Sequence, residues 1–320
     1  MSPFCAFATD SINHSTSHHP TLFVKRVQLT TANPGQSQHS YLVILAEKDG
    51  LDRLNDILLP SETSFLRQGI EREVSHFFFP RAEGCVFVRI LKNDTDAAAA
   101  AEIARLAGNE FLRDLRQYKL ESVAVRNLCK QNRSLAFAEG LALGSYQFLK
   151  YFTQPEKKEK ILREIVVEDA PEQDIAELNA LLKAVFLARD MVNEPQSHFD
   201  AVQLAAAVVA AGSEYGFEVE VLEKEKIESL KMGGILAVNK ASSAPPRFCI
   251  LEWKPDSPKN EKPVVLVGKG VVYDTGGLSL KPTDGMDYMK CDMAGAATVV
   301  GTLAAAAINR LPVHIIGLIP

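Results

Sequence analysis

The segment Val267 to Thr298 reads V-G-K-G-V-V-Y-D-T-G-G-L-S-L-K-P-T-D-G-M-D-Y-M-K-C-D-M-A-G-A-A-T. It follows an apolar run, Pro263 to Val267, with the composition of a buried strand, and precedes an Ala-rich helical run from Met293 to Asn309. Between the two runs lie five glycines, three lysines and four aspartates, too polar a set for a core. A polar loop that leaves a strand end and feeds a helix is where α/β proteins place their chemistry. Gly276 and Gly277 lie just beyond Asp274 and permit positive φ and close backbone approach to a ligand.

Upstream of this loop the pattern alternates. Ile161 to Val167 reads as a strand. Pro171 to Val192 reads as an amphipathic helix with Ile175, Leu178, Leu181, Leu182, Val185 and Phe186 on one face, ended at Asn193-Glu194-Pro195. Asp200 caps a helix running to Gly212, Phe217 to Leu222 alternates like a strand, and Glu223 to Met232 is helical, closing at Gly233-Gly234. Arg247 to Trp253 and Pro263 to Val267 follow as strands, and Val313 to Ile319 is the last. Nearer the N-terminus, Tyr41 to Ala46, Gly84 to Leu91 and Val123 to Leu128 read as strands. Asp94 to Leu115, with Asp94 and Thr95 as candidate caps, and Ser134 to Phe152 read as helices.

The expected fold class is α/β. A smaller N-terminal α/β domain over residues 21–155 precedes a larger α/β/α domain over 156–320 with a mostly parallel, mixed sheet. The polar segment Thr153 to Lys160 is the expected linker, and residues 1–20 are the expected disordered leader. His14, His18 and His19 lie in a Ser- and Thr-rich stretch and read as part of that leader rather than as a metal site. The chain stops at Pro320, where a strand ends, and reads as C-terminally incomplete.

Composition removes several classes of function. A net charge of -5 over 320 residues gives no electrostatic case for nucleic-acid binding. Five scattered cysteines without a C-x-x-C pair argue against a disulfide framework and for a reducing cytoplasm. No apolar run reaches the roughly 18 to 20 residues of a membrane span, and no membrane partner is expected.

The loop itself offers Lys269, Asp274, Lys281 and Asp292. Loop carboxylates suit hard or borderline divalent cations. A lysine ligand must be neutral, which costs roughly 4 to 5 kcal/mol at pH 7 and has to be supplied by the dication. Each residue also has a plainer reading. Asp292 stands directly before a helix and reads alone as an N-cap, Asp274 to Gly277 reads as a tight turn, and both lysines read as solvated. G-K-G lacks the spacing of a phosphate-binding loop.

Taken together, G-K-G-V-V-Y-D-T-G-G-L-S-L-K-P and M-D-Y-M-K-C-D-M-A-G-A-A-T-V resemble the leucyl (cytosol) aminopeptidase family of two-metal peptidases. The likeness extends to A-R-D-M-V-N-E-P (Ala188 to Pro195), M-G-G-I-L-A-V (Met232 to Val238), P-P-R-F-C-I-L-E-W (Pro245 to Trp253) and the closing L-P-V-H-I-I-G-L-I-P. The resemblance implies that 156–320 is a peptidase catalytic domain releasing N-terminal amino acids, leucine-type first, from peptides. It implies two divalent ions, Mn or Zn, held by Lys269, Asp274 and Asp292, with Asp274 bridging. Lys281 is implied as catalytic and substrate-binding, Met289 as lining the pocket for the first side chain, and the assembly as a homohexamer. Met289 also has a plainer reading, as a core methionine alongside Met286 and Met293.

Two departures stand out. Thr275 replaces the family's usual serine and keeps the hydroxyl. The family's later Asn-Thr-Asp-Ala-Glu-Gly-Arg stretch, with two further carboxylate ligands and an arginine, has no counterpart here. Inactivity of the 320-residue chain is the resulting expectation. The alternative from another class is a non-catalytic interaction or DNA-binding protein derived from an aminopeptidase.

Overall fold

The computed structural model describes residues 26–33, 40–159 and 162–320. The expected leader, with His14, His18 and His19, lies outside the described residues, as do Lys160 and Ile161. The strands are β1 (Gln28–Ala32), β2 (Tyr41–Glu47), β3 (His76–Arg81), β4 (Gly84–Leu91), β5 (Ser122–Asn127), β6 (Glu164–Glu168), β7 (Glu218–Leu222), β8 (Phe248–Trp253), β9 (Val264–Val267) and β10 (Ile315–Ile319). The helices are α1 (Pro60–Glu71), α2 (Ala97–Tyr118), α3 (Ser134–Gly144), α4 (Glu172–Asn193), α5 (Ala201–Tyr215), α6 (Lys224–Ser229), α7 (Gly233–Asn239), α8 (Thr283–Met286) and α9 (Ala294–Ile308). A 3-10 turn, Asp287–Cys291, joins α8 to the start of α9.

The first sheet has the order β1-β6-β5-β2-β4-β3. All its pairings are parallel except β3 with β4. β2 lies inside the sheet and is covered on both faces: Val43, Ile44, Leu45 and Ala46 are fully buried. That is why it reads in sequence as an unbroken apolar run rather than an alternation. On one side α2 and α3 pack tightly against each other. A Cβ at Gly108 would collide with the Phe137 carbonyl, and one at Gly140 with the Arg105 carbonyl, so both positions depend on having none.

Several expectations are corrected here. α2 is capped by Asp96, whose side chain accepts from Ala98 N, while Asp94 accepts from the Asp96 amide. α3 stops at Gly144, well short of Phe152. β6 pairs with β1 and β5, so the first sheet draws on the chain as far as Glu168 and the polar Thr153–Lys160 segment connects α3 to β6 within it. Elements β1, α1 and β3 are not anticipated from the sequence. β1 and β3 are edge strands, where Pro80 can sit without breaking a two-sided ladder.

Helix α4 links the two layers. Its Ile175, Leu178, Leu182 and Phe186 belong to the core of the first sheet, whereas Ala184 and Met191 belong to that of the second; Leu181 and Val185, expected on the buried face, are instead exposed. The second sheet has the order β7-β8-β10-β9 and is mixed. β8 runs antiparallel to β7 and β10, and β9 runs parallel to β10. Alternate residues Cys249, Leu251, Ile315 and Ile319 are buried in one core with α5 and α9.

β9 is an edge strand with only β10 beside it, so the expectation of a buried strand at Pro263–Val267 fails: Val265 is 51% and Val267 69% exposed. Gly233-Gly234 does not end a helix but opens α7. Against the reading that no apolar run has membrane-span length, the stretch Thr283–Ile308, made of α8, the 3-10 turn and α9, is long and apolar enough by composition, its most apolar window having a mean hydropathy of 1.6. Its apolar part, α9, is a core element: Val300, Leu303 and Ala304 are fully buried against neighbours from α4, α5 and the sheet.

Candidate active site

The loop between β9 and α9 is fixed at both ends by the backbone. Gly268 N donates to Leu318 O and Gly270 N to Pro320 O, extending the β9–β10 ladder past the strand. Ala296 N in the first turn of α9 donates to Lys269 O, which ties the strand end to the helix start. A Cβ on Gly268 would stand 2.6 Å from Gly295 O, so this approach also requires glycine. Lys269 and Asp292 are thus brought together from positions far apart in the loop.

Lys269 Nζ lies 2.8 Å from Asp292 Oδ2. Asp292 Oδ2 is buried, and it meets the Lys269 ammonium as an ion pair. The contact with Asp292 holds the Lys269 ammonium above the ordinary lysine value, with partial desolvation opposing. Asp292 does not cap α9; Met293 occupies the N-cap position.

Asp274 and Lys281 form the second pair, 2.7 Å apart. Asp274 Oδ1 also accepts from Gly276 N at 2.8 Å, so the residue closes a turn as well as meeting the lysine. Gly276 and Gly277 have φ of 86° and 71°, the left-handed region expected of them. The Lys281 hydrogen bond, then the Gly276 amide, hold the Asp274 carboxyl below the usual carboxylate range. Lys269 and Asp274 each feel the other's charge, which places the two pairs in one cluster.

Lys281 Nζ also reaches Met289 Sδ at 3.4 Å. Met289 is half-buried beside that ammonium, whereas Met293 is the core methionine at 1% exposure. Two residues without an individual sequence signal support the loop. Tyr273 Oη donates to Met286 O at 2.9 Å, and Lys290 Nζ donates to Asn193 O at 3.3 Å, resting the 3-10 turn on the end of α4. Both stand inside quoted motifs, but nothing in their spacing distinguishes them from solvated side chains.

The cluster has the donors a hard cation needs. Two carboxylates are neutralised by ammonium groups, and Asp292 Oδ2 is buried. No group of three or more His, Cys, Asp or Glu able to hold a metal occurs among the described residues. The residues therefore fit a metal as a partial set completed by lysine.

The fold and the loop define the class: an α/β protein with two lysine–carboxylate pairs on a strand-end loop. Residues 186–320 match the model described as "Cytosol aminopeptidase family, catalytic domain". A "Probable cytosol aminopeptidase" of Chlorobium limicola is 45% identical over 198 residues, 58% of this chain and 39% of the relative. One from Chloroherpeton thalassium is 36% identical over 272 residues, 76% of this chain and 53% of the relative. Among solved structures, "Bottromycin maturation enzyme BotP in complex with Mn" is 28% identical with a TM-score of 0.71, covering 88% of this chain and 59% of that one. The tomato "leucine aminopeptidase mutant - K354E", at 22% identity and a TM-score of 0.76, shares the fold over 93% of this chain and 63% of that one.

Over residues 186–320 the chain is similar to the catalytic domain of the cytosol aminopeptidase family. It spans 39% and 53% of the lengths of the two curated relatives.

Proposed function

We propose that this protein is a metal-dependent aminopeptidase that releases N-terminal amino acids, leucine-type first, from peptides. The observation that carries the reading is the cluster of two lysine–carboxylate pairs, Lys269–Asp292 and Lys281–Asp274, on one strand-end loop. Lys269, Asp274 and Asp292 would hold two divalent ions, with Asp274 shared between them. Manganese is supported by the manganese complex of the neighbour described above, and zinc is the other candidate. When bound, such ions lower the pKa of water and polarise a carbonyl.

The chain's own residues then divide the work. Lys281 presents a fixed ammonium beside Asp274, from where it stabilises negative charge developing on the scissile carbonyl oxygen. Met289, against Lys281 Nζ, offers an apolar surface to the first side chain of the substrate. Gly276 and Gly277 hold the turn that keeps Asp274 and Lys281 in register. Before metal enters, both carboxylates are occupied by lysine, so the ions compete with ammonium groups. Three protein ligands for two ions support weak retention. A cytoplasmic location is supported by the description of the relatives, and a homo-oligomer, a hexamer in the family pattern, by resemblance alone.

Hydrolysis of a leucine amide reporter with added Mn, beside an Asp274→Asn control, tests the reading. Mn-dependent release that the substitution abolishes supports it. Release that is unaffected by the substitution, or no release at saturating Mn, overturns it.

A further inference from the structure

Helix α4 runs for 22 residues and ends at Asn193, because Pro195 disfavours helical geometry at Glu194. The last carbonyls of a helix have no partner within it and carry the negative end of its dipole, so a cation set against them is stabilising. α4 has no basic residue in its own last turn. Lys290 supplies that charge from another element, the 3-10 turn Asp287–Cys291. Its half-buried side chain donates through Nζ to Asn193 O at 3.3 Å.

The anchor is itself held. Asn193 Nδ2 donates to Tyr146 Oη at 3.1 Å and to Arg189 O at 2.8 Å, and Tyr146 Oη donates to Asp190 Oδ1 at 2.8 Å. Glu194 is buried and accepts from Lys150 Nζ at 2.6 Å and from Tyr151 Oη. Tyr146, Lys150 and Tyr151 follow α3, and Tyr146 packs against the core of the first sheet. That layer therefore fixes the end of α4 on which the turn rests.

A 3-10 turn has three residues per turn, so positions i and i+3 eclipse and neighbours point about 120° apart. The Asp292 amide donates to Met289 O at 3.1 Å, which keeps this spacing as far as Asp292. Met289 and Asp292 thus share one side, and Lys290 points away from it. The contacts follow the same division. Met289 Sδ lies 3.4 Å from Lys281 Nζ and Asp292 Oδ2 lies 2.8 Å from Lys269 Nζ, while Lys290 meets α4. Tyr273 Oη holds Met286 O just before the turn, and Lys290 holds its far end.

We propose that Lys290 is a positioning residue: by capping α4 from a separate element it sets the rotation of the turn, and so aims Met289 at Lys281 and Asp292 at Lys269. It acts through these neighbours and contacts neither metal nor substrate itself. One consequence rests on the aminopeptidase reading: loss of Lys290 lowers the preference for a leucine over an alanine amide. The orientation of the turn is a property of the metal-free chain.

The test is methyl NMR of the full chain carrying carbon-13 in its methionine methyls, with Met289→Leu and Met293→Leu to assign two of the resonances. The wild type is expected to show a nuclear Overhauser contact between the Met289 methyl and the Lys281 side chain. Lys290→Leu is expected to shift the Met289 resonance and abolish that contact. Lys290→Arg, which still donates to a carbonyl, retains it. The Met293 methyl, 1% exposed in the core, stays in place in both variants. An unchanged Met289 resonance and contact in Lys290→Leu would overturn the proposal, as would a wild type without the contact. A Met293 shift as large as that of Met289 would also overturn it, by making Lys290 a support of the core. The experiment needs neither metal nor turnover, so the outcome of the leucine amide assay leaves its result standing.

Discussion

Lys269 Nζ lies 2.8 Å from Asp292 Oδ2, joining the end of β9 to the turn before α9. The same lysine and carboxylate are proposed as metal ligands, so in the metal-free protein each occupies the other's binding capacity. Metal entry must break this pair and remove a proton from Lys269. Metal affinity is therefore expected to rise with pH, with proton release on binding. Titration calorimetry in buffers of different ionisation enthalpy measures that release; binding with no proton release contradicts the lysine's role.

The two pairs also set opposite pH dependences for metal-free stability. The folded pKa of Lys269 is raised, so its contribution is complete below the unfolded value near 10.5 and is lost as pH rises through the higher folded value. The folded pKa of Asp274 is lowered, so its contribution is present above the unfolded value near 3.8 and is lost as pH falls through the lower folded value. Denaturant midpoints should lose their alkaline decline in Lys269→Met and part of their acid decline in Asp274→Asn. Both groups are largely solvated, and the effects should be small.

Gly276→Ala should disorder the catalytic turn while the rest of the protein stays folded. The residue has φ of 86°, and a Cβ there would press on the Ser279 carbonyl and the Lys281 side chain. The strain is about 1 kcal/mol or more. Amide hydrogen exchange should accelerate over residues 274–281 with α9 unchanged; an unaltered exchange pattern would remove the case for strain.

Leu303→Ala tests the core that carries the loop. Leu303 is fully buried in α9 and its truncation is expected to cost about 2–5 kcal/mol. Val238→Ala, at a 69% exposed position, should cost well under 1 kcal/mol. Chemical denaturation of the two variants side by side checks the ranking.

Lys281→Met is expected to lower turnover about 10²- to 10³-fold, the loss that follows removal of one oxyanion partner. Substrate affinity should change much less. Steady-state kinetics on a leucine amide reporter separates the two, and an equal fall in affinity alone would reassign Lys281 to binding.

Much of this fold could be read from residues whose physics is local. β2 and β4 are inside a parallel sheet and therefore apolar without interruption, and α5 has its Asp200 cap and its apolar face within fifteen residues. Among the elements that escaped reading, β1 and β3 lie at sheet edges, where one exposed face removes the hydrophobic signal, whereas α1 has an amphipathic pattern and a proline in its first turn that were passed over. β9 misled because Val-Val-Leu-Val looks the same at an edge as in a sheet centre; only the strand order shows which it is. β6 misled for a similar reason, since its partners β1 and β5 lie far away in sequence.

The site divides in the same manner. The glycines beside Asp274 carry a local backbone requirement and were legible. The pairing of Lys269 with Asp292 depends on Gly268 meeting Gly295 across the loop, which spacing alone does not specify.

The most direct test of the central claim is a titration of the purified chain with Mn, following loss of the free-ion electron paramagnetic resonance signal, beside the Asp274→Asn/Asp292→Asn double variant. The account predicts weak but saturable binding by the wild-type chain, strengthening as pH rises, and none by the double variant. Equal binding by both proteins, or none by the wild type at any pH at which it is folded, would contradict the assignment of this loop as a metal centre.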